Sequence, residues 1–375
     1  MSTPLPPNQP SPPPTSPLTG EQPTRDQSSP DTPVPPTSVA RSTSGVASEG
    51  DGRRRRRGGA ERMMVPDVEF ASYYGRQVVK PAPWKAEIPT YLYTGGLAAG
   101  SGLIAAGAQL VGLRSLQRNA RLTALAALGV STGALIADLG KPSRFVNMLR
   151  TVKLTSPMSV GSWILAGFGG FTGAAAVAEI AGPLLPKGSS LAKVAAFTEV
   201  GANLGSAAFS APLAAYTAVL LSDTATPTWH AVYKELPFVF TGSALMAAGG
   251  AAMVTTSARQ AKPARRAAVV GAALELAATE VMHRSVGIEG EPLRQGRQGR
   301  MLEASRWLAL GGAAVTLVGG RWRPAAVLAG LALNVGSALT RFGVFEAGVA
   351  SAKDPKYTIV PQRQRLDERG PTRLT

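Results

Sequence analysis

An all-α integral membrane bundle of eight transmembrane helices is the fold class this sequence predicts, and three observations predict it. First, long stretches carry no charge. Ile88 to Leu113 runs for 26 residues, Leu154 to Ala178 for 25, and Val200 to Ser222 and Leu236 to Ala258 for 23 each. A helix needs about 20 apolar residues to cross the hydrocarbon core, so four spans stand out. Second, charged residues are only 17% of the chain, against about 25% in an ordinary globular domain. Third, these Ala/Gly-rich runs lack the charged outer face, repeating every three or four residues, that a soluble Ala-rich bundle requires.

The elements follow in chain order. Residues 1–62 form a Pro/Ser-rich basic tail: 13 of the 30 prolines fall in the first 40 residues, and the run Arg53 to Arg57 follows. Such a segment cannot bury enough apolar surface to offset its ordering entropy, so it is expected to be disordered. It does not read as a secretory signal, because no apolar core follows the basic run. That run is either a solvated stop before the membrane or a contact for anionic lipid or nucleic acid. No groove-reading motif elsewhere supports nucleic acid. Residues 63–87 are a juxtamembrane segment, 88–348 the eight-helix transmembrane domain, and 349–375 a polar C-terminal tail.

Within the domain, two further charge-free runs are shorter, Leu122 to Ala137 (16 residues) and Pro324 to Thr340 (17). Trp307 to Gly320 has 14 and needs its flanking arginines to snorkel. Ala267 to Val286 is apolar but carries Glu275 and Glu280. The pairs Gly96–Gly100, Gly169–Gly173 and Gly201–Gly205 would let helices approach closely in lipid.

The net charge is +16. Eight spans put both termini on one side. That side collects 17 Lys and Arg near the spans against 11 on the other, before Arg53 to Arg57 are added. The bias predicts cytoplasmic termini in a cell-membrane protein. The absence of Cys excludes disulfides, a Cys-ligated zinc and iron–sulfur ligation by this chain itself. Two histidines, His230 and His283, are few for a haem protein.

The densest polar segment follows the second span, from Asp138 to Trp163, on the termini side. Arg144, Asn147 and Arg150 recur at i, i+3 and i+6, along one face of a short interfacial helix. Thr155-Ser156-Pro157 reads as a cap for the next span. This segment is either an anchor or a set of donors aimed at one place.

The string Asp138-Leu-Gly-Lys-Pro-x-Arg144-Phe-x-Asn147-Met-Leu-Arg150, then Ser156-Pro-Met-Ser-x-Gly-Ser-Trp163, resembles the NrfD-like family of polysulfide-reductase membrane subunits. Ala215 to Leu221, Trp229-His230 and Glu235 to Phe238 support it, as do Thr340 to Gly348 and Ser351 to Tyr357. The resemblance covers roughly residues 70 to 365. It implies an eight-helix membrane anchor that interacts with a quinone such as menaquinone and carries no haem. It implies partners too: a four-cluster ferredoxin-like iron–sulfur subunit and a molybdopterin catalytic subunit. Members of the family pass electrons between the nearest cluster and the quinone.

A quinone head group needs donors at its carbonyls, a proton route and an apolar opening for its tail. The resemblance implies Tyr216 as a quinone ligand; read by itself it is equally an interfacial belt tyrosine. Asp138 either exchanges protons or pairs with Arg144. Asn147, Arg150 and Arg144 are candidate donors, and Tyr91 and Tyr93 candidate walls or belt anchors. His230 is a candidate relay or a surface histidine. Glu199, Glu275, Glu280 and Arg341 are ionisable at membrane depth, and such residues invite a proton pathway or internal ion pairing. A secondary transporter and a purely structural anchor are the alternatives.

Overall fold

The computed structural model describes residues 77–369. The tail expected over 1–62, residues 63–76 of the juxtamembrane segment and the last six positions lie outside the described residues. Among these residues the chain is entirely helical, with no strand. The helices are α1 (Glu87–Leu110), α2 (Arg114–Asp138), α3 (Ser143–Leu149), α4 (Pro157–Ala181), α5 (Ser190–Ser222) and α6 (Pro227–Ala231). They continue with α7 (Leu236–Thr255), α8 (Lys262–Ser285), α9 (Gly296–Gly319), α10 (Arg323–Lys353) and α11 (Lys356–Arg369).

Local chemistry sets the boundaries. Ser156 caps α4 by accepting the Ser159 N–H, and Pro157 fills the first helical turn. Ser189 caps α5 by accepting the Ala192 N–H at 3.1 Å. Gly112 and Gly140 follow α1 and α2 with φ of 71° and 70°, the left-handed conformation that closes a helix. The connections between α1 and α2 and between α9 and α10 are only three residues long, which makes each pair antiparallel neighbours.

Eight of the described helices have 20 or more residues, and each charge-free run of the sequence falls on one of them. Five are long and apolar enough to cross a membrane by length and composition: α2, α4 with its short extension to Leu184, α5, α7 and α10. The apolar surface points outward as well as inward. Phe197 is 81% exposed and Val318 92%. A bundle with large apolar side chains on its outside is built for lipid rather than water.

Helices α1, α7 and α10 pack on one another at the centre, flanked by α2, α5 and α8. The α7–α8 contact is close because a Cβ at Gly242 would lie 2.5 Å from the Glu275 amide nitrogen. On the termini side, α6 plugs the bundle with Trp229, which is fully buried. Its indole N–H donates to the Val344 carbonyl at 2.8 Å. Its ring stacks on Trp84, centroids 6.0 Å apart, and lies 5.6 Å from Phe345.

Three sequence expectations need adjustment. Helix α9 begins at Gly296, eleven residues ahead of its charge-free run, because Arg297, Arg300, Glu303 and Arg306 are all helical. The segment expected as a polar C-terminal tail is helical as far as Arg369. Arg121, one of the 11 Lys and Arg assigned to the membrane surface away from the termini, is 1% exposed. It donates to Glu179, to Glu199 at 3.2 Å and to the Ala175 carbonyl at 3.3 Å, tying α2, α4 and α5 together.

Candidate quinone cleft and buried polar network

Tyr216 lies near the termini end of α5 and is 9% exposed. It sits where three helices meet. Gly161 of α4 presses on its ring so closely that a Cβ there would overlap the phenol. Tyr91 of α1, itself buried, lies beside it in the same core cluster. The remaining edge borders a cleft of about 570 Å³ between the start of α4 and the end of α5. Val160, Ile164, Pro212 and Val219 supply its apolar walls, and Thr155 and Asp223 add polar groups at its mouth. A second, almost wholly apolar cleft of about 450 Å³ adjoins it across Leu154, Val160 and Ile164, running toward Trp163 and Phe209. Leu154 is 85% exposed, so the pair opens on the outer surface of the bundle.

The other candidate residues occupy different places. Arg144, Asn147 and Arg150 lie on or beside α3, are all exposed, and line neither cleft. Arg144 donates to the Leu139 carbonyl at 3.0 Å. Asp138 makes no ion pair with Arg144; the charge acting on it is the Glu87 carboxylate. Glu87 is one helical turn before Tyr91 on α1, so an acidic pair stands above the Tyr91–Tyr216 contact. Tyr93 points elsewhere, donating to the Asn334 side chain of α10 at 3.0 Å.

His230 is exposed, donates from Nδ1 to the Ser222 carbonyl at 3.1 Å, and stacks on Tyr233. It lines a separate cavity of about 260 Å³ covered by α11. The cover is fixed by Lys356, whose ammonium lies 2.9 Å from the Glu291 carboxylate, while the Tyr357 hydroxyl donates to the same group at 3.3 Å. Lys356 pulls the Glu291 carboxyl below its usual range, and Glu291 in turn pushes Lys356 up to about 12.

Of the four ionisable residues singled out at membrane depth, two come together. Arg341 is fully buried and Glu275 is 3% exposed. The Arg341 guanidinium donates to the Phe240 carbonyl at 2.6 Å and reaches the Thr217 hydroxyl at 3.5 Å. It lies 3.8 Å from the centre of the Phe240 ring, a cation–π contact. The Thr340 hydroxyl donates to Glu275 at 2.5 Å. Ser305, in turn, lies 2.6 Å from Thr340. Glu275 and Arg341 do not form a direct ion pair, and the guanidinium acts on the carboxylate through space. One carboxylate oxygen of Glu275 keeps no protein partner. Glu275 also lines a cavity of about 240 Å³ between α8, α9 and α10 that includes His283, Glu303 and Arg306.

Glu280 and Glu199 stand apart from this network. Glu280 is half-exposed and pairs with Arg284 at 2.9 Å, and Glu199 belongs to the Arg121 cluster on the opposite side. Thr155, Asp223, Glu87 and His283 are the site residues that the sequence did not single out as such, whereas Tyr91 was a candidate wall. Thr155 and Asp223 flank the ends of two charge-free runs on the same side, which is the signal that could have found them. Nothing in the pattern links Tyr91 to Tyr216 across 125 positions.

The fold and these clefts define a polytopic helical membrane protein with a lipid-side pocket beside a buried charge network. A family profile described as Polysulphide reductase, NrfD, matches residues 76–283. The chain belongs to the NrfD family. No curated protein matches it.

Proposed function

We propose that this chain is the quinone-interacting membrane subunit of an oxidoreductase complex, with all eight long helices crossing the bilayer and both termini cytoplasmic. The observation that carries the reading is the hydroxyl of Tyr216 at the back of a cleft that is apolar on its walls and open to lipid. Its volume lies in the range of small-molecule sites. A quinone such as menaquinone supplies the two-electron, two-proton chemistry that this chain's side chains lack.

The residues fit that group. Tyr216 presents a donor to a head-group carbonyl, held in one orientation by Tyr91 and by the absence of a side chain at Gly161. The adjoining apolar cleft accepts the start of an isoprenoid tail. Asp138 and Glu87, one turn above Tyr91, exchange protons with the cytoplasm. On the far side of α5, Thr217 links Tyr216's neighbourhood to Arg341 and, through Thr340, to Glu275. That network and the cavity around His283 give a second proton route and support coupled translocation. Arg144, Asn147 and Arg150, exposed on α3, contact an iron–sulfur partner of the four-cluster ferredoxin type. A molybdopterin subunit behind it supplies the catalytic chemistry.

Filling the cleft tests this. Val160→Trp in the assembled complex should abolish quinone-linked turnover while electron delivery from the catalytic partner to a soluble dye continues. Normal quinone turnover in that variant would place the quinone elsewhere. Loss of both activities would point to a purely structural anchor.

A further inference from the structure

A concentration of positive charge without carboxylate partners among the described residues lies far from the quinone cleft, at the opposite ends of the helices. The stretches 256–273 and 307–330 contain Arg259, Lys262, Arg265, Arg266, Arg321 and Arg323 and no Asp or Glu. Two of these arginines are occupied by the backbone. Arg323 donates to the Met253 and Thr256 carbonyls, both at 2.6 Å. Arg265 donates to the Ala258 carbonyl at 2.5 Å and the Gly320 carbonyl at 3.1 Å. A Cβ at Gly320 would lie 2.7 Å from the Arg265 side chain, so the glycine gives that guanidinium its place.

Lys262, Arg266 and Arg321 are exposed and have no carboxylate partner among the described residues. With Arg265 they rim a groove of about 540 Å³ between α8 and α9. Below the rim the groove is apolar and open: Val270 is 59% exposed, Leu317 71% and Val318 92%. Trp322, at the same level, is 67% exposed, as suits an interfacial ring. Four cations above an apolar slot lack only an anion carrying hydrocarbon.

We infer that the α8–α9 groove binds an anionic phospholipid, its phosphodiester held by Lys262, Arg265, Arg266 and Arg321 and its acyl chains lying on Val270, Leu317 and Val318. The mutual repulsion of Arg265 and Arg321 is relieved by the bound phosphate. The inference rests on α8 and α9 crossing the membrane. It does not depend on which side is cytoplasmic.

The test uses the purified complex in mild detergent, with bound lipid counted by native mass spectrometry. The probes are a phosphatidylglycerol, a phosphatidylcholine and inorganic phosphate. The wild-type complex should retain phosphatidylglycerol over phosphatidylcholine. Each basic side chain at such a surface contributes roughly fivefold, so Lys262→Gln/Arg266→Gln/Arg321→Gln should lower retention about a hundredfold. The charge-keeping variant Lys262→Arg/Arg266→Lys/Arg321→Lys should retain it, as should Lys187→Gln/Lys193→Gln, which removes exposed cations elsewhere on that side. Equal retention by the triple Gln variant would overturn the proposal. So would displacement of the lipid by inorganic phosphate, which would make this a soluble-anion site. Because the chain has no Cys, Leu317→Cys creates a single thiol. Labelling of that thiol in membranes by a water-soluble maleimide would refute the membrane placement itself, separately from the lipid.

Discussion

Removing one member of the Glu275–Arg341 pair should cost more than removing both. Arg341 is fully buried, and among the described residues no carboxylate besides Glu275 acts on it. In Arg341→Leu, Glu275 keeps Thr340 but loses the one positive charge that acts on it among the described residues. Breaking a direct buried ion pair costs about 3–5 kcal/mol; these two groups lie beyond ion-pair distance, so losing one should cost less, about 1–3 kcal/mol, the range for a buried polar group left without its partner. At roughly 2–4 °C per kcal/mol, the single variant should melt about 2–12 °C below wild type. Glu275→Leu should lose a similar amount, leaving the guanidinium with the Phe240 carbonyl and ring. The double variant Glu275→Leu/Arg341→Leu removes both charges and should recover at least about 0.5 kcal/mol over either single change. Thermal melting of the four proteins in one detergent gives the cycle. Additive losses, with the double variant as unstable as the sum, would refute the reasoning that these two charges compensate each other.

Two further outcomes follow from the same geometry. Gly161→Ala places a methyl group in the ring of Tyr216; overpacking of this kind costs about 1–3 kcal/mol, and the displaced phenol should raise KM for quinone in the complex, so an unchanged melt and KM would remove Gly161 from the site. The α11 cover should depend on pH. Glu291 titrates below its usual range, so its contact with Lys356 is present above about pH 4.5 and is lost as pH falls through that lowered value. Lys356 is raised to about 12, so its share persists through ordinary alkaline pH and is lost only as that value is passed. Hydrogen exchange across 356–369 should therefore be flat in its protection from about pH 5 to 10 and lose it in acid.

Most of the helical architecture was legible because charge-free length is a direct consequence of the hydrocarbon thickness. Ile88 to Leu113 became α1 and Leu236 to Ala258 became α7 with ends shifted by only a few residues. Where charges enter a helix, length is hidden: α9 starts among Arg297, Arg300 and Glu303, and nothing in a charge count separates a helical arginine from a loop arginine. The cap at Ser156-Pro157 was readable because its chemistry is local. The site was only half readable. Tyr216 stood out through the resemblance, but its partners are set by packing between helices distant in sequence. Tyr93 illustrates the limit: two positions from Tyr91, it faces Asn334 instead, because a helix turns about 200° between them. Likewise, Glu275 and Glu280 look alike in sequence, yet five positions of helical rotation send one inward and the other to Arg284.

The Arg121 cluster has a consequence for how the chain is made. Synthesis delivers Arg121 with the second long helix, while its two acids, Glu179 and Glu199, arrive 58 and 78 residues later. Until then the guanidinium must stay with water or lipid head groups at the bilayer edge, some 10 Å from the start of α2 by helical rise. The early hairpin of α1 and α2 is thus left loosely seated at its outer end. It locks only when the fourth long segment emerges, so the biosynthetic order of the helices is written into a single side chain.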